Sequence, residues 1–244
     1  MFEDLPLIVA ANRDEHYDRP SAAPSLIETT PKIIAGKDLR AGGTWLGVNA
    51  AGLMVAILNR HFDANSAAAD RRSRGLLCMD LLCCSSSAAA EVFMKNHQAR
   101  YNPFTLLCAD RNDAFVSYNG EQKIISQKLP AGLHVFSSAA EFDLHSAKAE
   151  RAYALFGDAK ITARLRGGDL SDAVAALQDV LADHSLAPGS DNPGDAICVH
   201  RDSSGTVSSS IVFFAEPSSR FVTFYCAGAP CRNSFGAGLT LDVQ

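Results

Sequence analysis

The 244-residue sequence holds a single Trp, no long basic tract, no C-x-x-C pair and no long apolar run. A membrane-spanning helix needs about eighteen consecutive apolar residues, and nothing here approaches that length. No basic start followed by an apolar stretch and a small-residue cleavage site is present either, so the expected location is cytoplasmic. A formal net charge of −5, with only short basic clusters such as Asp70–Arg74, leaves no footprint for a phosphate backbone, and no nucleic-acid partner is expected. The seven cysteines are odd in number and, with the seven histidines, lack metal-ligand spacing. They fit a reducing compartment, with no metal and no cofactor expected. Cys78, Cys83 and Cys84 fall among leucines of a helical stretch, where a thiol acts as a small hydrophobe.

What the sequence does have is apolar patterning sufficient for a sizeable core, read as one domain over residues 1–244. Continuous apolar runs bounded by turn signals ("LPLIVAA", "GTWLGV", "GLMVAILN") predict strands buried on both faces. Helical spacing begins at Ser73, a candidate N-cap, and returns in "AAAEVFMKNHQA". "FTLLCAD", "AFVSYNG" and "EQKIISQ" read as strands, with Asn119-Gly120 as a hairpin signal. Helices are predicted over Leu144–Phe156 and Ser171–His184, followed by strands "AICVH", "TVSSSIVFF" and "RFVTFYCAG". The connections are too short for parallel crossovers, so the class is α+β with antiparallel sheets, stacked and covered by helices.

The polar candidates sit at strand ends. In Asn12-Arg13-Asp14-Glu15 the guanidinium offers a fixed fork of donors for a carboxylate or carbonyl, with Asp14 or Glu15 to orient it or accept a proton. An Arg–carboxylate knot tying the strand to its loop is the plainer alternative, and spacing alone favours it. Gly42-Gly43-Thr44-Trp45-Leu46-Gly47 allows close backbone approach but lacks the Lys-Ser/Thr of a phosphate loop. Asn59-Arg60 ends a second buried strand as Asn12-Arg13 ends the first. His134 and His200 close apolar strands and read as structural histidines; Cys231 is the cysteine most expected to be exposed.

In order along the chain stand "ANRDE..DRP", "AGGTWLG", "GLMVAILNR", "RRSRGLL", "PFTLLCAD", "AICVHRDSSGTVSSS" and "AGAPCRNSF". With these motifs the sequence resembles the NRDE family, also called the Transport and Golgi organisation protein 2 family. The resemblance implies a branch of the N-terminal nucleophile hydrolases, with their four-layer αββα sandwich. It further implies hydrolysis of a small, non-peptide amide by a cysteine that follows the initiator methionine, whose α-amine serves as base. By similarity to penicillin V acylases and bile salt hydrolases, Arg13 would hold the nucleophile, Asp14 its amine, and Asn59 would donate to the oxyanion. Asn12, Glu15, Thr44, Trp45, Arg60 and Ser138 are the expected substrate-binding residues.

The sequence departs from the family pattern at three places. Residue 2 is Phe2 where members carry cysteine, Ser138 stands where many have asparagine, and Val207 where many have arginine. The first departure leads to the expectation that the start is misplaced, a first strand with its cysteine lying upstream, and the hydrolase inactive as given. An inner sheet edge left open in this way would pair with another chain, giving a homo-oligomer. The competing expectation is a non-catalytic protein that binds or traffics haem or lipid, as eukaryotic relatives are implicated in doing.

Overall fold

A computed structural model describes residues 2–60, 71–97, 100–119, 124–138, 146–186 and 189–244. Two antiparallel sheets stack face to face. The smaller has the order β1-β9-β10-β11, from β1 (Leu7–His16), β9 (Ser204–Ala215), β10 (Arg220–Ala227) and β11 (Leu239–Asp242). The larger runs β2 to β8 in sequence order: β2 (Ser21–Ile27), β3 (Ile33–Asp38), β4 (Leu46–Asn49), β5 (Met54–Asn59), β6 (Phe104–Ala109), β7 (Ala114–Asn119) and β8 (Ile124–Lys128). Helices α1 (Arg74–Leu81) and α2 (Ser87–Asn96) cover the outer face of the larger sheet; α3 (Ala147–Phe156), α4 (Ala159–Arg166) and α5 (Leu170–Leu181) cover that of the smaller. Among the described residues no helix is long and apolar enough to cross a membrane.

Alternation along the strands builds three apolar layers. Val48, Met54 and Ala56 meet Val9, Val212, Phe214 and Phe221 between the sheets. Val55, Leu53 and Leu106, pointing the other way, pack under Leu77, Leu81 and Met94 of α1 and α2. Ile8, Ile211 and Phe213 pack under Val174, Leu177 and Leu181 of α5. Hence β4 and β6 are buried along their whole length, β4 as the run "GTWLGV" predicts. The α+β class and the αββα layering both stand as expected.

Two expected boundaries move. The strand expected to end at Ala11 continues to His16, because β9 pairs with it through Ser204; the ladder uses backbone groups and is indifferent to the side chains' polarity. "AICVH" forms only an isolated bridge, His200 to Gly205, beside the start of β9. The start of the helix expected at Leu144 and the tip of the Asn119-Gly120 hairpin lie outside the described residues.

Polar cross-ties fix the layers. Asn49, wholly buried, donates to the carbonyls of Leu82 and Cys84 (2.8 Å each) and accepts from the amides of Ala51 and Leu53, joining the β4–β5 turn to the end of α1. Gly43 lies against the start of α1, where an added Cβ would stand 2.1 Å from the carbonyl carbon of Gly75; only glycine admits that approach.

Candidate active site

Strand alternation sends Arg13 and Glu15 between the sheets and Asn12 and Asp14 towards the helices on the outer face. The buried guanidinium of Arg13 stacks on Trp45, its Cζ 4.5 Å from the ring centroid. Its polar contacts are long: 3.4 Å from Nη1 to Ser21 Oγ and 3.9 Å from Nη2 to Glu15 Oε2. Glu15 is shared with Arg19 at 3.6 Å, and Arg19 in turn grips Asp38 at 2.7 Å. Charges of alternating sign thus run from Arg13 to Asp38 across the mouth of the intersheet space. Burial pushes Arg13 below its ordinary value, while the negative charges of Glu15 and Asp38 oppose the shift. Trp45 is held against Gly36, where a Cβ would meet the indole at 2.6 Å.

The other expected site residues fall elsewhere. Asn12 is a structural tie, donating at 2.9 Å to both Leu181 O and Ile197 O and accepting from Ser209 Oγ. Asp14 accepts from Thr206 Oγ1 at 2.7 Å and lies 3.5 Å from Lys148 Nζ of α3. Asn59, the last residue of β5, follows Val55 and Ile57 on the face turned to α1 and α2. Arg60 is buried with its Cζ 5.0 Å from the Tyr118 ring centroid. Thr44 is buried and donates to Leu46 O, and Ser138 is exposed. The fold therefore unites Arg13, Glu15 and Trp45 but turns Asp14 and Asn59 to two other faces. Alternation sets those directions: the extra residue of the bulge at Arg13/Asp14 lies in β9, so β1 keeps its alternation, and Asn59 stands two residues beyond Ile57 on the same face.

A second constellation gives no signal as a unit in the sequence. On the outer face of the smaller sheet, His200 Nε2 lies 3.2 Å from Cys231 Sγ and 3.6 Å from Cys198 Sγ, and the two sulfurs are 3.7 Å apart. A ring nitrogen of His184 comes within 4.8 Å of the ligand atoms of His200 and Cys231. Burial, reinforced by Cys231, pushes the Cys198 thiol up to about 12. Burial also lowers His200, helped by Arg232 and His184 and opposed by Asp14. The available clue is Cys198-x-His200, two residues that an extended segment puts on one face; Cys231 joins them only through the fold.

The sequence profile described as Transport and Golgi organisation 2 matches residues 2–225. The chain belongs to that family. Within it, the human Transport and Golgi organization protein 2 homolog is 36% identical over 114 residues, 44% of this chain and 40% of that protein. The mouse homolog is 36% identical over 110 residues, 43% and 38% of the two chains. The matched part thus spans about two-fifths of the length of these curated relatives. Among solved structures, an arginine-to-leucine variant of the conjugated bile acid hydrolase from Clostridium perfringens superposes with a TM-score of 0.55 at 12% identity, covering 97% of this chain and 94% of that one. The Caenorhabditis elegans N-acylethanolamine-hydrolyzing acid amidase ortholog superposes at 0.51 and 15%, covering 84% and 90%. At such identities the likeness shows the fold alone, an N-terminal-nucleophile-hydrolase-like sandwich.

Proposed function

We propose that the Arg13–Trp45 corner is the substrate wall of an amide-hydrolase-like protein, which takes a small molecule bearing an amide carbonyl or a carboxylate. One observation carries this reading: a buried guanidinium stacked on an indole, whose contacts with Ser21 and Glu15 are long, 3.4 and 3.9 Å. A desolvated cation so loosely paired gains more from an incoming oxygen than a surface arginine does. Arg13 holds the oxygen, Glu15 orients Arg13, and the face of Trp45 receives the adjoining apolar part. Asp14 and Asn59, expected beside the reacting atoms, have no place there in this reading.

Trp45 is the only tryptophan, so emission excited at the red edge of the indole band, beyond tyrosine absorption, reports on this corner. Titration with short N-acyl amino acids should quench it saturably, and R13L should weaken the quench by about tenfold or more, the worth of a charge-assisted hydrogen bond. Product release, followed by mass spectrometry, marks a hydrolase. Binding of haemin or fatty acid at the same corner, with no amide cleaved, marks the non-catalytic carrier instead. A quench equal in wild type and R13L would overturn the assignment of Arg13.

A further inference from the structure

We propose that Cys198, His200, Cys231 and His184 form a mononuclear binding site for a borderline-soft divalent cation, of which Zn²⁺ is the natural occupant. The case begins with geometry. A tetrahedral zinc with Zn–S of about 2.3 Å and Zn–N of about 2.0–2.1 Å separates two sulfurs by roughly 3.8 Å and sulfur from nitrogen by roughly 3.5 Å. Here the sulfurs are 3.7 Å apart, and His200 Nε2 lies 3.6 and 3.2 Å from them. Three edges of the coordination tetrahedron already exist. His184 supplies the fourth corner by a small movement of an exposed ring whose centroid is 6.0 Å from that of His200.

Cys198, Cys231 and His184 are also held from behind, as a working metal site requires. All four supports converge on the end of α5. The Cys198 amide donates to Asp183 O at 2.8 Å, and Asp183 is paired with Arg151 of α3. Gln178 of α5 donates to Pro230 O and Asn233 O, bracketing Cys231. Asn12 ties Leu181 O to Ile197 O, next to His184 and Cys198. His184 Nδ1 lies 3.2 Å from Ala182 O; a proton donated there leaves Nε2 free as the lone-pair donor, the tautomer a metal-bound histidine adopts.

The ligand set selects the ion. Two thiolates and two imidazoles suit Zn²⁺ over the oxygen-seeking Mg²⁺ and Ca²⁺. Binding displaces the two thiol protons into the buffer; two thiolates and two neutral imidazoles around a divalent ion leave the centre uncharged. Cys198 is buried, whereas His184 is exposed and marks the route of entry. Four protein ligands leave no open position, so the role is to staple α5 to the loops before β9 and after β10. It is independent of the Arg13 corner.

The test uses the full chain, reduced with a phosphine, stripped with a chelator and titrated with Co²⁺ as a visible substitute for Zn²⁺. One equivalent should produce sulfur-to-metal charge-transfer absorption with the intense visible bands of tetrahedral Co²⁺, release about two protons, and raise the melting temperature. Zn²⁺ should erase the colour. C231S should halve the charge-transfer intensity, and H184A should keep it while weakening binding about tenfold or more. Both positions are at least partly exposed, and far-UV circular dichroism verifies that each variant folds. Sulfur bands unchanged in C231S would place the ion elsewhere, at Cys83 and Cys84 for example, and overturn the proposal. So would a pale octahedral spectrum in the wild type.

Discussion

Asp38 shows how a single carboxylate can be worth more than its place on the surface suggests. Burial pushes its carboxyl up, but the Arg19 side chain and the amides of Ala41 and Arg40 outweigh that and hold it below its ordinary value. Asp110 is similar: burial raises it, and the amide and hydroxyl of Ser87 with the amides of Asn112 and Asp113 bring it down. In the unfolded chain such groups titrate near about 3.9. Because the folded values lie lower, the stability they supply is complete above that pH and is lost as pH falls through the folded values. D38N should cost about 1.5–3 kcal/mol at neutral pH, read from urea midpoints. The gap between D38N and wild type should narrow as the pH falls below the carboxyl's unfolded value; a constant gap would mean that the charge is irrelevant.

Among the elements, β1 and α5 depend on each other through Asn12. With N12A, the carbonyls of Leu181 and Ile197 lose their donor and Ser209 its acceptor. A loss of about 1–3 kcal/mol follows for buried groups left unpaired. Amide hydrogen exchange should quicken first at the end of α5 and over residues 196–200, with β6 unaffected. What can be read in advance at this scale divides on physical lines. Strands β4, β5 and β6 are legible because both faces are apolar. Strand β2 is not: Pro24 and four small residues obscure it, and it is tolerated only because it forms the edge of its sheet, where a missing N–H costs nothing. Helix α4 is not legible either, because Leu165 is its only buried residue. In the tetrad Asn12 to Glu15, the residue types point to the right neighbourhood. Their division between two faces depends on how far β1 runs, and the change from apolar to polar side chains hides that.

For the molecule as a whole, the intersheet layer is the common support. Phe214 and Phe221 are fully buried there, with ring centroids 5.1 Å apart in an edge-to-face pair. F214A should lower stability by about 3–5 kcal/mol and act on both halves together. Trp45 emission and far-UV circular dichroism should therefore still report one coincident unfolding transition, at a lower midpoint. Two separate transitions would show that the sheets fold as independent units. The layered architecture is legible in outline from hydropathy and more firmly from the family resemblance. The cysteine–histidine cluster is not, since its ligands come from three separated segments that meet only once the sandwich has closed.

The amide of Asn49 has a consequence for how the protein ages. Its two N–H bonds and its oxygen are all engaged, so exchange of that NH₂ for O⁻ by spontaneous deamidation would alter almost no volume. It would nevertheless aim a negative charge at the two carbonyls of Leu82 and Cys84, in a place water does not reach. The tight grip on the side chain is thus also its protection, because the cyclisation that deamidation requires needs a turn of the backbone that this clasp forbids.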